Sequence, residues 1–343
     1  IPMKEAMLYE KLDDEKVDCF LCAHECTIRE GQVGVCQVRE NEDGVLYSRV
    51  YGRAIAQHVD PIEKKPLLNF HPGSRAYSIA TPGCNFRCKW CQNADISQAP
   101  HQNRYLEGKH TSPEEILASA QRSHCDSIAY TYTEPTIFFE YSYDIAKRAR
   151  EAGLANVYVT NGYMTEEMLE EMDPLLDAAN VDLKGFREEV YRRYAGARLQ
   201  PVLDSLKKMR ELDIWVELTT LIIPGVNDDP EELGDAANFI AEELGPETPW
   251  HISRFTPAFE MRDVKPTPVS TLMEAQEIGK QAGLRYIYVG NVLSDANTTC
   301  HECGETLIRR LGYQIMANKV TENAACPECG TPVAGRGMAG EAK

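Results

Sequence analysis

The sequence predicts an α/β protein whose core is a full or partial barrel of six or seven βα units, flanked by a small cysteine-rich module on each side. Two observations carry the barrel. Between residues 75 and 291, short β-branched or aromatic runs alternate with stretches of helical period. Each run then passes into a polar or unusual segment at its C-terminal end, where barrel enzymes build their sites. A third observation, the grouping of the cysteines, marks off the two flanking modules. Alternation alone also allows a doubly wound open sheet; the placement of the chemistry at strand ends argues for the barrel.

The strands read at 76–81, 127–132, 156–160, 180–183, 215–223, 250–255 and 285–289. Between them, helices read at 113–123, 136–151, 166–171, 202–211, 230–244 and 271–281. The first has the clearest start: Ser112 is the N-cap, Pro113 sits at the first helical position and Glu115 completes a capping box. Residues 1–50 form an N-terminal metal-binding module, read as loop-like around Gly31 and Gly34, and 51–295 form the barrel. Residues 296–343 form a module in which Cys300-His-Glu-Cys303-Gly304 and Cys326-Pro-Glu-Cys329-Gly330 flank a possible strand pair over 308–313. That is the spacing of a zinc ribbon or rubredoxin-like knuckle pair. The stretch 334–343 is small and polar and reads as a disordered tail.

Of the 343 residues, 36 are Lys or Arg and 53 are Asp or Glu, a formal net charge of −17. So negative a surface repels phosphate backbones and anionic headgroups, so nucleic acid is not an expected partner. No apolar run approaches the ~20 residues that span a bilayer, and the expected location is the cytoplasm.

Twelve cysteines in a chain of this kind point to metal ligands rather than disulfides, and eleven of them fall into three tight groups. Cys19, Cys22, Cys26 and Cys36 form one group, Cys84, Cys88 and Cys91 a second, and Cys300, Cys303, Cys326 and Cys329 a third. Four thiolates close a tetrahedral set suited to zinc, to one iron or to a complete iron–sulfur cluster. For the C-terminal group zinc is preferred over rubredoxin-type iron. The N-terminal group fits zinc, the preferred ion, and fits an auxiliary [4Fe-4S] cluster. The middle group has three thiolates, which leaves one iron of a [4Fe-4S] cube open and makes this set the catalytic candidate. Cys125 stands alone and reads as a small buried hydrophobe.

Cys84-Asn-Phe-Arg-Cys88-Lys-Trp-Cys91 follows a strand at the turn Pro82-Gly83. This C-x3-C-x-aromatic-C motif resembles that of the radical S-adenosylmethionine (SAM) superfamily. The resemblance implies that Cys84, Cys88 and Cys91, with Trp90 beside them, hold a [4Fe-4S] cluster whose fourth iron SAM chelates through its amino and carboxylate groups. Tyr132-Thr133-Glu134-Pro135 stands where that family carries a Gly-Gly-Glu-Pro-like stretch for the SAM amino group, although the first two positions here are not glycine. Thr160-Asn161-Gly162, Asp182-Leu-Lys184 and the Pro224-Gly225 strand end resemble the pyruvate formate-lyase activating enzyme branch. There the lysine lies near the SAM carboxylate, the aspartate near the nucleoside or a monovalent cation, and the Pro-Gly end receives adenine.

A narrower likeness spans nearly the whole chain. It is similar to the AmmeMemoRadiSam-system radical SAM proteins at Cys19-Phe-Leu-Cys22-Ala-His-Glu-Cys26, Asp60-Pro-Ile-Glu-Lys-Lys-Pro66 and Tyr288-Val-Gly-Asn291. The terminal Cys-x2-Cys pairs extend it. This resemblance implies a partial (β/α)6 TIM-like barrel of radical SAM type. It also implies an enzyme that takes one electron from a ferredoxin or flavodoxin, cleaves SAM to a 5′-deoxyadenosyl radical and abstracts hydrogen from an unidentified substrate, a protein, another macromolecule or a small molecule. His251, with Ser253 and Arg254, is expected at the barrel mouth as a catalytic or cofactor-binding residue, and Tyr132 as a hydrogen-atom donor. The competing reading is a non-catalytic electron-transfer or metal-binding module. It explains the cysteines but not Asp182, Lys184 and Pro224-Gly225 at successive strand ends.

Overall fold

The computed structural model describes residues 3–103, 106–292 and 295–340. Its core is one eight-stranded sheet. Seven parallel strands, Arg75–Ala80, Ser127–Tyr130, Ala155–Thr160, Ala178–Asp182, Trp215–Ile222, Trp250–Arg254 and Ile287–Gly290, pair in the order in which they occur in the chain. A doubly wound sheet reverses strand order at a switch point; this one never does, which settles the choice for a partial barrel. Ser127–Tyr130 is buried at every position, as expected of a parallel strand covered on both faces. The helices Pro113–Arg122, Phe139–Glu151, Glu166–Met172, Gln200–Glu211, Pro230–Phe239 and Val269–Gln281 lie in the crossovers. At Ser112 the side chain accepts from Glu115 N at 3.2 Å and Glu115 Oε2 accepts from Ser112 N at 2.7 Å, the capping box read from the sequence. Among the described residues no helix is long and apolar enough to cross a membrane.

The eighth strand, Ala56–Pro61, is antiparallel to Arg75–Ala80 and forms the edge of the sheet. Sequence reasoning passes over it because Gln57, His58 and Asp60 break the apolar pattern of a strand. From its end the chain runs beneath the barrel, at the N-terminal ends of the parallel strands. Leu68 N and Asn69 N donate to the buried Glu217 carboxylate at 3.0 and 2.8 Å, and Asn180 Nδ2 donates to Pro66 O at 2.8 Å.

Both flanking modules differ from the sequence expectation. The N-terminal segment is not loop-like: it forms two three-stranded antiparallel sheets, and Cys19 and Cys26 pair across one of them. In the C-terminal module Thr306–Leu311 and Gln314–Asn318 form the expected hairpin. The stretch after it, however, is not a free tail as far as residue 340. His71 N donates to Arg336 O at 2.7 Å, Arg336 N to Asn69 O at 2.9 Å, and Met338 is buried. Backbone pairing, which composition does not reveal, holds it down. Residues 341–343 lie outside the described residues.

Candidate functional site

The turn after strand Arg75–Ala80 carries the three-cysteine loop. Gly83 has φ 107°, and a Cβ there would stand 2.8 Å from Val38 Cγ1 and 3.5 Å from Cys36 O, so no side chain fits. The loop is held by its backbone: Arg87 N donates to Ala195 O at 2.8 Å and Lys89 N to Tyr194 O at 3.0 Å. Phe86 and Trp90 bury their rings beneath it. Phe86 N donates to Cys84 Sγ at 3.3 Å, and Ser97 Oγ lies 3.2 Å from Cys91 Sγ.

Cys84, Cys88 and Cys91 face a cavity of about 340 Å³, within the range of small-molecule sites. It brings together most of the residues singled out from the sequence: Trp90, Tyr132, Thr133, Glu134, Thr160, Asn161, Asp182 and Lys184 all line it. Lys184 Nζ pairs with Asp182 Oδ2 at 2.7 Å, and Asn161 Nδ2 donates to Asn85 Oδ1 at 2.7 Å inside the cysteine loop. Glu134 is buried with both oxygens committed. Oε1 accepts from Thr136 N, Thr136 Oγ1 and Thr160 Oγ1, and Oε2 accepts from Asn161 N at 2.8 Å. It therefore clamps two strand ends together, although burial still pushes its carboxyl above the ordinary range. Tyr132, at φ 65°, donates its hydroxyl to Asp60 Oδ2, and Lys65 Nζ stands 4.4 Å from the centre of its ring.

Three expected residues are not brought to this cavity. His251 sits two residues below Ser253 on the same strand, a drop of about 6.6 Å. Its Nε2 is engaged 2.6 Å from Glu217 Oε2, and it lines a second cavity with Tyr288 and Arg310. Pro224 and Gly225 lie just past the end of strand Trp215–Ile222, outside the cavity wall, where Gly225 is exposed and its N–H donates to Asp228 at 2.8 Å. The strand itself offers Thr219 and Leu221 instead. Sequence reasoning also missed Asn93, Ser97 and Tyr313. Asn93 precedes and Ser97 ends the four-residue helix Ala94–Ser97 after Cys91, too short to show a period, and nothing local ties Tyr313, in the turn of the C-terminal hairpin, to a cavity at the barrel mouth.

The donor set fits an iron–sulfur cluster. Burial pushes the Cys88 thiol up to about 12, against the pull of Lys184, and burial with Glu134 nearby raises Cys84 further. Such thiols are inert unless a metal takes them as thiolates. Among the described residues, the thiols of this loop do not converge to the spacing of a single ion.

The C-terminal four do converge. Their sulfurs all lie within 4.8 Å of one another, with Cys300–Cys329 and Cys303–Cys326 both at 3.6 Å. Four thiolates about 2.3 Å from one ion stand about 3.8 Å apart, so this group could hold one tetrahedral metal. Stripping that ion with a chelator is expected to loosen the small module and leave the barrel folded, because about 45 residues bury too little core alone. Amide exchange checks this: protection should be lost over Thr306–Asn318 and kept in strands 155–160 and 215–222, whereas uniform loss or no loss would contradict it.

Comparison with known proteins places these features. Residues 78–239 match the family model of the radical SAM superfamily. An uncharacterized protein of Methanocaldococcus jannaschii is 45% identical over 334 residues, spanning 96% of this chain and 99% of its own. A second protein of that organism, provisionally named a glycyl-radical enzyme activating enzyme, is 23% identical over 67% of this chain and 85% of its own. Among solved structures, SuiB of Streptococcus suis bound to its precursor peptide SuiA has a TM-score of 0.50 at 13% identity, covering 67% of this chain and 51% of that one.

Proposed function

The chain belongs to the radical SAM superfamily, and on that premise we propose that it binds SAM beside a [4Fe-4S] cluster held by Cys84, Cys88 and Cys91 and abstracts a hydrogen atom from a substrate entering the same cavity. One observation supports this above the rest: three thiols, that of Cys88 buried and those of Cys84 and Cys91 half-buried, one short of a closed set, open onto a cavity whose other walls are the C-terminal ends of successive parallel strands. Bound together, the cluster and SAM supply one-electron cleavage of the sulfonium, giving methionine and a 5′-deoxyadenosyl radical.

The protein's own share is binding, orientation and exclusion of water. Asp182 and Lys184 form a neutral pair at the end of strand Ala178–Asp182, and the Lys184 ammonium supplies a charge-assisted contact for a carboxylate. Asn161, anchored through Glu134, fixes the strand end next to the cysteine loop. Tyr132 turns its ring to the cavity. Burial and the Asp60 carboxylate keep its phenol protonated, the form a hydrogen-atom donor needs. The electron comes from a reduced ferredoxin- or flavodoxin-type donor. A protein substrate is favoured by the relative named as an activating enzyme.

Lys184→Ala tests the cavity assignment. It should weaken SAM binding by about 1.5–3 kcal/mol, roughly tenfold or more in dissociation constant. Calorimetric titration of the anaerobic protein reads this, and a change below about twofold would remove Lys184 from the SAM site.

A further inference from the structure

We propose that Cys19, Cys22, Cys26 and Cys36 hold a second [4Fe-4S] cluster, complete in its thiolate ligands and set against the loop that carries Cys84. The chain contains its own standard for comparison. Its C-terminal four cysteines are drawn to the spacing of one ion, whereas no three of the N-terminal four sulfurs lie mutually within 4.8 Å among the described residues. Yet all four N-terminal cysteines line a single small cavity. A zinc ion at about 2.3 Å from each sulfur would draw them to about 3.8 Å from one another. A cube of four irons, each bonded to its own thiolate, requires the sulfurs to stand apart around a core.

A second, independent observation is Arg39, which lines the same cavity and is 1% exposed. Its Nη2 reaches Glu140 at 3.1 Å and also donates to Met7 O, but Nε and Nη1 are buried without a partner. Orphaned guanidinium donors are costly in a protein interior. The sulfides and thiolates of a cluster accept such donors.

The site shares a wall with the three-cysteine loop. His24 Nε2 stands 2.8 Å from Asn85 O, and Cys36 O lies under Gly83. With four protein ligands no iron is open, so SAM does not chelate here, and this cluster is distinct from the one proposed at Cys84, Cys88 and Cys91. The inference rests on the N-terminal residues and stands or falls separately from the SAM reading.

Metal analysis of three anaerobically reconstituted proteins tests it: the full chain, Cys84→Ala/Cys88→Ala/Cys91→Ala, and Cys19→Ser/Cys22→Ser. The full chain should bind about eight irons, and the triple variant should keep about four with the electron paramagnetic resonance signal of a reduced [4Fe-4S] cluster. The double serine variant should lose about four irons relative to the full chain. A full chain with about four irons and two zincs, or a folded triple variant with no iron, would overturn the proposal, even if the full chain cleaves SAM.

Discussion

Replacing Cys84, Cys88 and Cys91 together by alanine is expected to abolish formation of 5′-deoxyadenosine from SAM and to leave the barrel folded. The loss should be complete because no other described thiols open an incomplete set onto the 340 Å³ cavity. The fold should survive because the loop is tied by backbone contacts to residues 194 and 195 and by the buried rings of Phe86 and Trp90, none of which involves sulfur. Truncating each thiol should cost about 1 kcal/mol, the ordinary scale of a point substitution. Iron content should fall by about four per chain, the complement of one cube. Liquid chromatography of a dithionite-reduced reaction reads the outcome; 5′-deoxyadenosine from the triple variant at the parent rate would refute the assignment of the cluster.

Arg310→Ala should be the most destabilising single substitution at the junction of the C-terminal module and the barrel, by about 3–5 kcal/mol. Arg310 is 1% exposed. Its Nη2 donates to Leu68 O at 2.8 Å, and its Nη1 to Ala296 O at 3.0 Å and Thr298 Oγ1 at 2.8 Å. Its Nε stands 3.7 Å from Glu63 Oε1. Truncation orphans three acceptors and leaves Glu63 buried beside no cation. Glu63 already has a carboxyl raised by burial and held by Gly73 N at 2.8 Å. Removing the charge of Glu63 as well, in Arg310→Met/Glu63→Gln, should recover much of the loss, since paired removal of a buried ion pair is far milder than breaking it. Urea unfolding of the single and double variants measures both. A cost under about 1 kcal/mol for Arg310→Ala would show that the module is docked by other contacts.

The parallel strands were legible because each is a short apolar or β-branched run between a helix and a polar turn; all seven lie within about two residues of their expected bounds. The cavity was legible for a related reason. Thr133, Asn161, Asp182 and Lys184 each sit within two or three residues of a strand end, so strand position alone carried them to the mouth of the barrel. What failed depended on depth or on distant partners. Strand alternation placed His251 on the same face as Ser253, but periodicity cannot say which layer of the barrel a residue occupies. Glu217, its partner, looks like an ordinary charge until the N–H groups of Leu68 and Asn69, some 150 positions earlier, fold beneath it. Pro224 and Gly225 were carried over from the resemblance alone, and they stand just past the strand end, outside the cavity wall. The edge strand Ala56–Pro61 was hidden by its own polar side chains, since Asp60 is buried only by virtue of Lys64, Lys65 and Tyr132.

The most direct test of radical SAM chemistry in this chain needs no substrate. The protein, reconstituted anaerobically with iron and sulfide and reduced with dithionite, is incubated with SAM, and the products are separated by chromatography. Methionine and 5′-deoxyadenosine should appear in equal amounts and only with reductant present. Intact SAM after prolonged incubation with a protein shown to carry a reduced [4Fe-4S] cluster and to bind SAM would contradict it.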